Sequence, residues 1–250
     1  MEKHIIGRGL LAGVAGAVSA FVFARIFLEP VIERAIGYEE GVSAAHEAAH
    51  GGHSHGEGVE LFTRAVQANV GMGFGVLAFS VAMGALLAVV FCVAYGRVDD
   101  ISARTLSVLS AGALLVSLWV VSALKYPPNP PAVSYDGTIQ QRTLLYLLMV
   151  VLSATALAAA VYVGRCLTPR LGTWNASLAA AGGYLAAMAV VMLVLPAIDE
   201  TPGDFPADDL YEFRLLSLGA QVVMWTTIAL VFAASVRRLI EQRQRQAVLA

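Results

Sequence analysis

The chain alternates between long apolar stretches and shorter polar segments. Six stretches are long enough to cross a bilayer as a helix, which takes about 20 apolar residues. They comprise residues 5–28, 66–95, 104–124, 144–164, 176–195 and 215–236. The first is too long for the apolar core of a signal peptide, so we expect it to be retained. The pattern predicts an all-α, polytopic integral membrane protein with about six transmembrane helices, residues 1–250 forming a single membrane domain.

The basic residues predict how the chain is oriented, because Lys and Arg are retained on the cytoplasmic side of a membrane. With the N-terminus inside, ten of the 16 Lys and Arg residues lie in cytoplasmic segments and five lie on the other side, while Arg25 falls within the first helix. We therefore expect both the N- and C-termini to be cytoplasmic, with residues 238–250 as a short cytoplasmic tail.

The acidic residues separate more strongly under the same orientation. The 18 Asp and Glu residues then lie outside, except for Glu2, Asp99, Asp100 and Glu241. An acidic external face attracts cations. The composition, 58% hydrophobic and 14% charged with a net charge of −2, agrees with a membrane protein and gives no basic surface for nucleic acid. With lysine only at positions 3 and 125, no P-loop can be built, so we expect no ATP site.

A histidine-rich segment lies in the predicted external loop of residues 36–65. Four of the five histidines occur in the sequence AHEAAHGGHSHGEG, as His46, His50, His53 and His55. Imidazole is a ligand for Co²⁺, Ni²⁺ and Zn²⁺, and two histidines one helical turn apart followed by two on a Gly-rich tail can close around such an ion. We predict that the loop captures metal. An inert or pH-responsive loop is the alternative.

The same segment contains H-E-A-A-H, which matches the zinc-protease motif of two histidine ligands and the base Glu47. That motif requires a stable helix in a folded domain, whereas Gly51 and Gly52 follow at once and disfavour a helix. The longer metzincin pattern also fails. We therefore predict no catalytic residue, no resident cofactor and no enzyme, with a membrane metalloprotease as a minor alternative.

Charged and rigid elements lie at the predicted external ends of the helices. Arg25, Glu29 and Glu33 are spaced by four and would share a helix face. We expect Arg25 to pair with Glu29, since an unpaired charge at the membrane edge is costly, and the alternative is a role in a cation path.

Two further segments complete the predicted path. The run KYPPNPP places Lys125, Tyr126 and Asn129 on backbone that four prolines hold in an extended form. Asp199 and Glu200 lie at the external mouth of the fifth predicted helix, where carboxylates can meet a hydrated cation. Glu29, Glu33, Lys125, Tyr126, Asn129, Asp199 and Glu200 are therefore the predicted substrate-path residues.

Glycines in the first two helices predict close helix packing. Gly9 and Gly13 are four residues apart, and the second helix carries Gly71, Gly73 and Gly75. In lipid, small residues at such spacing let helix backbones approach one another.

Several of these segments together resemble one family. They are Glu29-Pro30 after a Gly-rich helix, KYPPNPPAV, and DETPGDFPADDLYEFR followed by SLGAQ and Trp225. The chain resembles CbtA, the predicted cobalt transporter subunit of bacteria. The resemblance implies a multi-pass protein of the bacterial inner membrane that supplies cobalt and is often partnered by a small, histidine-bearing membrane subunit, CbtB. The family is usually described with five spans, so the sixth span and the histidine segment are departures.

The resulting hypothesis is an inner-membrane transporter component for a divalent transition metal. The resemblance favours Co²⁺, and the loop chemistry also admits Ni²⁺ and Zn²⁺. None of the six predicted spans carries a histidine or a central carboxylate. The alternative is therefore a membrane scaffold or accessory subunit that does not itself transport and docks a partner through its external loops.

Overall fold

The computed structural model of the protein is mostly helical in the part that it describes, which comprises residues 2–50, 63–97, 101–131, 133, 136–198 and 200–249. Those residues contain no β-strand. The α-helices are α1 (Glu2–Phe23), α2 (Glu29–His50), α3 (Arg64–Val66), α4 (Met72–Ala94), α5 (Ala103–Leu115), α6 (Val121–Lys125), α7 (Asp136–Val194) and α8 (Ala207–Leu249). Single π-helical turns join neighbouring helices at Ala24–Leu28, Gln67–Gly71 and Val116–Val120.

Five helices in the described residues are long and apolar enough to cross a membrane. They are Glu2–Ala45, Gln67–Ala94, Ala103–Lys125, Gly137–Val194 and Ala207–Gln242. The predicted all-α class of membrane protein agrees with this architecture. The predicted count of six is not confirmed, because the fourth and fifth predicted spans both fall within Gly137–Val194.

The long helix α7 is interrupted at one residue and folds back there. Gly172 has φ +75°, a conformation that side chains other than that of glycine rarely adopt, and Pro169 precedes it. The Ser153 and Tyr184 hydroxyls lie 2.8 Å apart although the residues are separated by 31 positions. A straight helix would place them about 46 Å apart. The two arms of α7, before and after Gly172, therefore pack against each other.

The chain divides into two compact units. The first unit comprises Met1–Gly112, Pro130–Ala132 and Phe205–Ala250, and the second comprises Ala113–Asn129 and Val133–Asp204. The first unit is built around α1, which contacts both α4 and α8. The second unit has its own core of Val121, Tyr126, Met149, Tyr184 and Met188.

Small residues bring α1 and α4 into close contact, as the sequence predicts for Gly9 and Gly13. A Cβ atom on Gly13 would lie 2.6 Å from the Ser80 carbonyl oxygen, and one on Gly9 would overlap the Gly84 carbonyl. The Ser80 hydroxyl donates a 2.7 Å hydrogen bond to the Gly13 carbonyl. The two backbones can approach this closely only because both surfaces lack side-chain bulk.

The prediction that Gly71, Gly73 and Gly75 of the second span pack closely against another helix was wrong. A Cβ on Gly75 would meet nothing within 4 Å, and one on Gly71 or Gly73 would make only ordinary contacts. The packing surface of α4 is instead formed by Ser80, Gly84 and Ala88, all buried and four residues apart. This small-residue spacing was readable from the sequence.

The α1–α8 contact combines apolar packing with hydrogen bonds. A Cβ on Gly16 would lie 2.6 Å from Ile228, so the α8 side chain occupies the space above this glycine. Ser19 donates to the Thr227 hydroxyl at 2.9 Å, and Arg8 donates to the Ser235 carbonyl at 2.5 Å. These bonds hold α1 and α8 in one register.

Candidate functional site

The predicted path residues divide between the two units. The first unit holds Glu29 and Glu33, and the second holds Lys125, Tyr126, Asn129 and Glu200. Asp199 lies outside the described residues. Each unit therefore contains one buried glutamate from the predicted set, Glu29 at 2% exposure and Glu200 at 3%.

In the second unit, Glu200 is the acceptor at the centre of a hydrogen-bonded cluster. Its Oε1 accepts a hydrogen bond from the Thr138 hydroxyl at 2.5 Å. Its Oε2 accepts from Arg142 at 2.7 Å and from the Asn129 amide at 3.5 Å. Both carboxylate oxygens are thus engaged, and the guanidinium compensates their charge. The structure brings the predicted residues Asn129 and Glu200 into contact.

The same cluster anchors the proline-rich segment. Arg142 donates a second bond to the Pro127 carbonyl, and the Tyr126 hydroxyl donates to the Pro196 carbonyl at 2.8 Å. Burial raises the pKa of Tyr126, so its phenol stays protonated and donating. Lys125 ends α6 and is half-buried. Residues 126–129 are therefore held at one end by Tyr126, through the Pro196 carbonyl, and at the other by Asn129, through Glu200.

Sequence reasoning missed Thr138 and Arg142, which complete this cluster. They lie four residues apart at the start of α7, so they share one helix face. An arginine one turn inside the start of a long apolar helix was a readable signal, since such a charge requires a partner. The sequence did not indicate which carboxylate that partner would be.

In the first unit, the buried Glu29 has a different environment. Its Oε1 accepts a hydrogen bond from Arg64, and the two side chains form an ion pair. Its Oε2 has no hydrogen-bond partner among the described residues, nor does Nε of Arg64. The Glu29 side chain is 3% exposed, whereas that of Arg64 is 35% exposed. This carboxylate therefore has one buried oxygen that no described residue engages.

The expected pairing of Arg25 with Glu29 was wrong. Arg25 Nε donates to Asn69 Oδ1 at 3.2 Å, and Glu29 pairs with Arg64. Both side chains have a partner brought close by the fold instead, and the backbone between them makes a π-helical turn at Ala24–Leu28, where the Glu29 N–H bonds to the Ala24 carbonyl five residues back. The four-residue spacing is therefore not that of a regular α-helix. Glu33 is exposed.

Two acidic residues at the start of α8, Asp209 and Glu212, pair with an arginine of α2. Arg34 of α2 donates to Asp209 at 2.7 Å and also to Glu212. The ring of Tyr38, one turn further along α2, lies edge-on to Phe205 with centroids 5.1 Å apart. These contacts fix α2 against the start of α8.

The histidine segment lies mostly outside what the structure describes. The backbone is helical through His50, which places His46 and His50 on one helix, while His53 and His55 lie outside the described residues. Elsewhere in the described part, no group of three or more His, Cys, Asp or Glu side chains is placed to hold a metal ion. Metal capture by the four histidines stays a prediction.

Comparison with known proteins identifies one family. The model of the family described as "probable cobalt transporter subunit (CbtA)" matches residues 2–237. This match confirms the resemblance carried by KYPPNPP and the acidic segment before α8. No curated protein and no solved structure matches the chain.

Proposed function

The chain belongs to the CbtA family, and from that premise we propose that it is a subunit of a cobalt uptake system in the bacterial inner membrane. The family is one of transporter subunits, and five helices here are long and apolar enough to cross a membrane. The observation that carries the proposal is the family match across nearly the whole chain. The transported ion is the substrate and not a resident cofactor.

The proposed topology has six crossings, with both termini cytoplasmic. The two arms of α7 on either side of Gly172 each supply one crossing. A single straight helix of 58 residues would be about 87 Å long, far beyond the roughly 30 Å of a bilayer core. The excess of Lys and Arg on the side of the N-terminus supports the orientation.

The proposed route begins at the histidines. His46, His50, His53 and His55 gather the ion on the external face, and Glu29 and Glu33 receive it at the start of α2. Asp199 and Lys125 stay in the predicted path, whereas we propose that Tyr126, Asn129 and Glu200 hold the proline-rich segment in place and do not bind the ion. Contacts of the described residues support different roles within this set, because they leave one oxygen of Glu29 without a hydrogen bond and engage both oxygens of Glu200.

A partner subunit is part of the proposal. The family description calls the protein a subunit, which implies a complex. The sequences of the predicted spans offer no histidine and no central carboxylate, so a coordinated ion would need ligands from elsewhere. We propose a small CbtB-like membrane subunit as the source. The same observation favours the second candidate function, an accessory subunit that does not transport alone.

Cobalt uptake by intact cells tests the proposal. A strain without its own cobalt transporter would express this chain alone, the chain with a CbtB-like subunit, or an empty vector. We expect radioactive cobalt to accumulate above the vector level when both subunits are present. Accumulation by the chain alone would establish an autonomous carrier, and accumulation only with the partner would establish the accessory role. Uptake equal to the vector in both cases would overturn the transport proposal.

Replacing all four loop histidines with alanine tests their collecting role. We expect uptake to fall several-fold at low cobalt and to match the unmutated chain at high cobalt, because a collector raises local concentration without forming the path. Loss at every concentration would show instead that the histidines belong to the path. The Glu47→Gln variant serves as control. We expect it to transport normally, since Glu47 has no proposed role.

A further inference from the structure

Glu29 and Arg64 form an ion pair at the base of the histidine-bearing segment, which is residues 30–63. Glu29 is the first residue of α2, which carries His46 and His50, and Arg64 is the first residue of α3, where the described chain resumes. The pair therefore joins the two ends of the segment. Along α2, His46 and His50 lie 17 and 21 residues beyond Glu29.

The two side chains of this pair differ in their freedom to separate. Glu29 is nearly inaccessible and lies at the junction of a π-helical turn and α2, so its carboxylate stays in place. Arg64 is partly exposed, so its guanidinium can turn toward solvent, where water replaces its hydrogen bond to Glu29. One member of the pair is thus stationary and the other is replaceable.

Oε2 of Glu29 is the atom that could bind a cation. Glu29 Oε2 has no hydrogen-bond partner in the described part of the chain, although a buried carboxylate oxygen is costly to leave unsatisfied. A carboxylate can bind a divalent cation through one or both oxygens. A cation so bound would repel the neighbouring guanidinium, because the two positive charges would lie a few ångströms apart in a poorly screened site.

From this geometry we propose that Glu29 binds the divalent metal ion by exchange, with the Arg64 guanidinium as the built-in cation that the metal displaces. The inference rests on the proposed function for the identity of the ion. In the unloaded protein Arg64 neutralises the buried carboxylate. In the loaded protein the metal binds the Glu29 carboxylate and the Arg64 guanidinium moves to solvent.

The Glu200 cluster in the second unit provides a matched comparison. Arg142 has two separate acceptors, Glu200 and the Pro127 carbonyl, and only 20% of its side chain is exposed. The Glu200 carboxylate has donors on both oxygens. Displacing Arg142 would break several bonds at once, so this pair does not exchange.

Cobalt titration of the purified full-length protein tests the exchange. All variants would carry alanine at the four loop histidines, so that binding by the loop does not contribute. We expect Glu29→Gln to weaken Co²⁺ binding at least tenfold and Arg64→Gln to tighten it at least fivefold, because the competing charge is gone. Arg142→Gln should leave the affinity within twofold. Unchanged binding in Glu29→Gln, or unchanged or weaker binding in folded Arg64→Gln, would overturn the proposal.

A second measurement uses the unmutated chain and so does not depend on how the variants fold. Phenylglyoxal modifies accessible arginines, and mass spectrometry reports the extent at each residue. We expect Co²⁺ to increase modification of Arg64 at least threefold and to leave Arg142 unchanged. Modification of Arg64 that does not respond to Co²⁺ would overturn the exchange. Both assays measure binding without transport, so they can fail while cobalt uptake succeeds, or the reverse.

Discussion

Each of the two units buries a glutamate against an arginine, and the two pairs are built differently. Glu200 receives hydrogen bonds on both oxygens, and its arginine is also bound to the backbone at Pro127. From the described residues Glu29 receives one, on Oε1, from an arginine that is partly exposed. A saturated buried ion pair resists separation, because removing one partner leaves an uncompensated charge. An unsaturated pair next to solvent can exchange its cation. From this comparison we propose a structural role for Glu200 and ligand binding for Glu29.

The largest expected effect on stability comes from breaking the saturated pair. Glu200→Gln leaves Arg142 without its counter-charge in a mostly buried site, and we expect the free energy of unfolding to fall by about 3–5 kcal/mol. Denaturant unfolding in detergent measures this loss. The exposed Glu33 supplies the control, since Glu33→Gln should change stability by less than about 0.5 kcal/mol. A Glu200→Gln variant as stable as the control would remove the structural role assigned to this cluster.

The corresponding change in the first unit should cost less. Glu29→Gln removes one charged hydrogen bond, and Arg64 can then hydrate, so we expect a loss of about 1.5–3 kcal/mol. The same unfolding assay compares the two variants directly. If Glu29→Gln destabilised the protein more than Glu200→Gln, the roles of the two pairs would have to be reversed.

A smaller effect is expected at the edge of the saturated cluster. Tyr126→Phe removes the bond to the Pro196 carbonyl and keeps the buried ring, so we expect to lose about 1 kcal/mol. Cobalt affinity of the purified protein should not change, because this hydroxyl anchors residues 126–129 and does not contact the ion. A tenfold loss of affinity in Tyr126→Phe would instead place the proline-rich segment at the binding site.

The apolar pattern predicted the helical membrane architecture because a long apolar stretch in a bilayer satisfies its backbone hydrogen bonds by forming an α-helix. It also placed Leu144–Gly164 and Ala176–Leu195 as separate stretches, which the structure shows as the two arms folded at Gly172. Helix contacts between α1 and α4 were partly predictable. Gly9 and Gly13 were identified correctly, whereas the Ser80, Gly84 and Ala88 spacing on the partner helix was overlooked.

The contacts of the site could be predicted from the sequence only in small part. Arg64 lies 35 residues from Glu29 along the chain, and Arg142 lies 58 residues from Glu200. No local spacing therefore indicates these arginine partners. The π-helical turn at Ala24–Leu28 leaves no pattern in the sequence either, and neither does the contact of Arg25 with Asn69, 44 residues away. Individual carboxylates could therefore be selected as candidates, but only the folded contacts distinguish the saturated one from the available one.

The most direct test of the account is the initial rate of cobalt uptake at saturating external cobalt by Glu29→Gln, in cells that contain the required partner. Membrane levels of each variant would be matched to those of the unmutated chain, with Tyr126→Phe as the control that alters the other unit. We predict that Glu29→Gln lowers the rate at least tenfold and that Tyr126→Phe stays within twofold. A rate for Glu29→Gln equal to that of the unmutated chain would contradict the assignment of this carboxylate to the path of the ion.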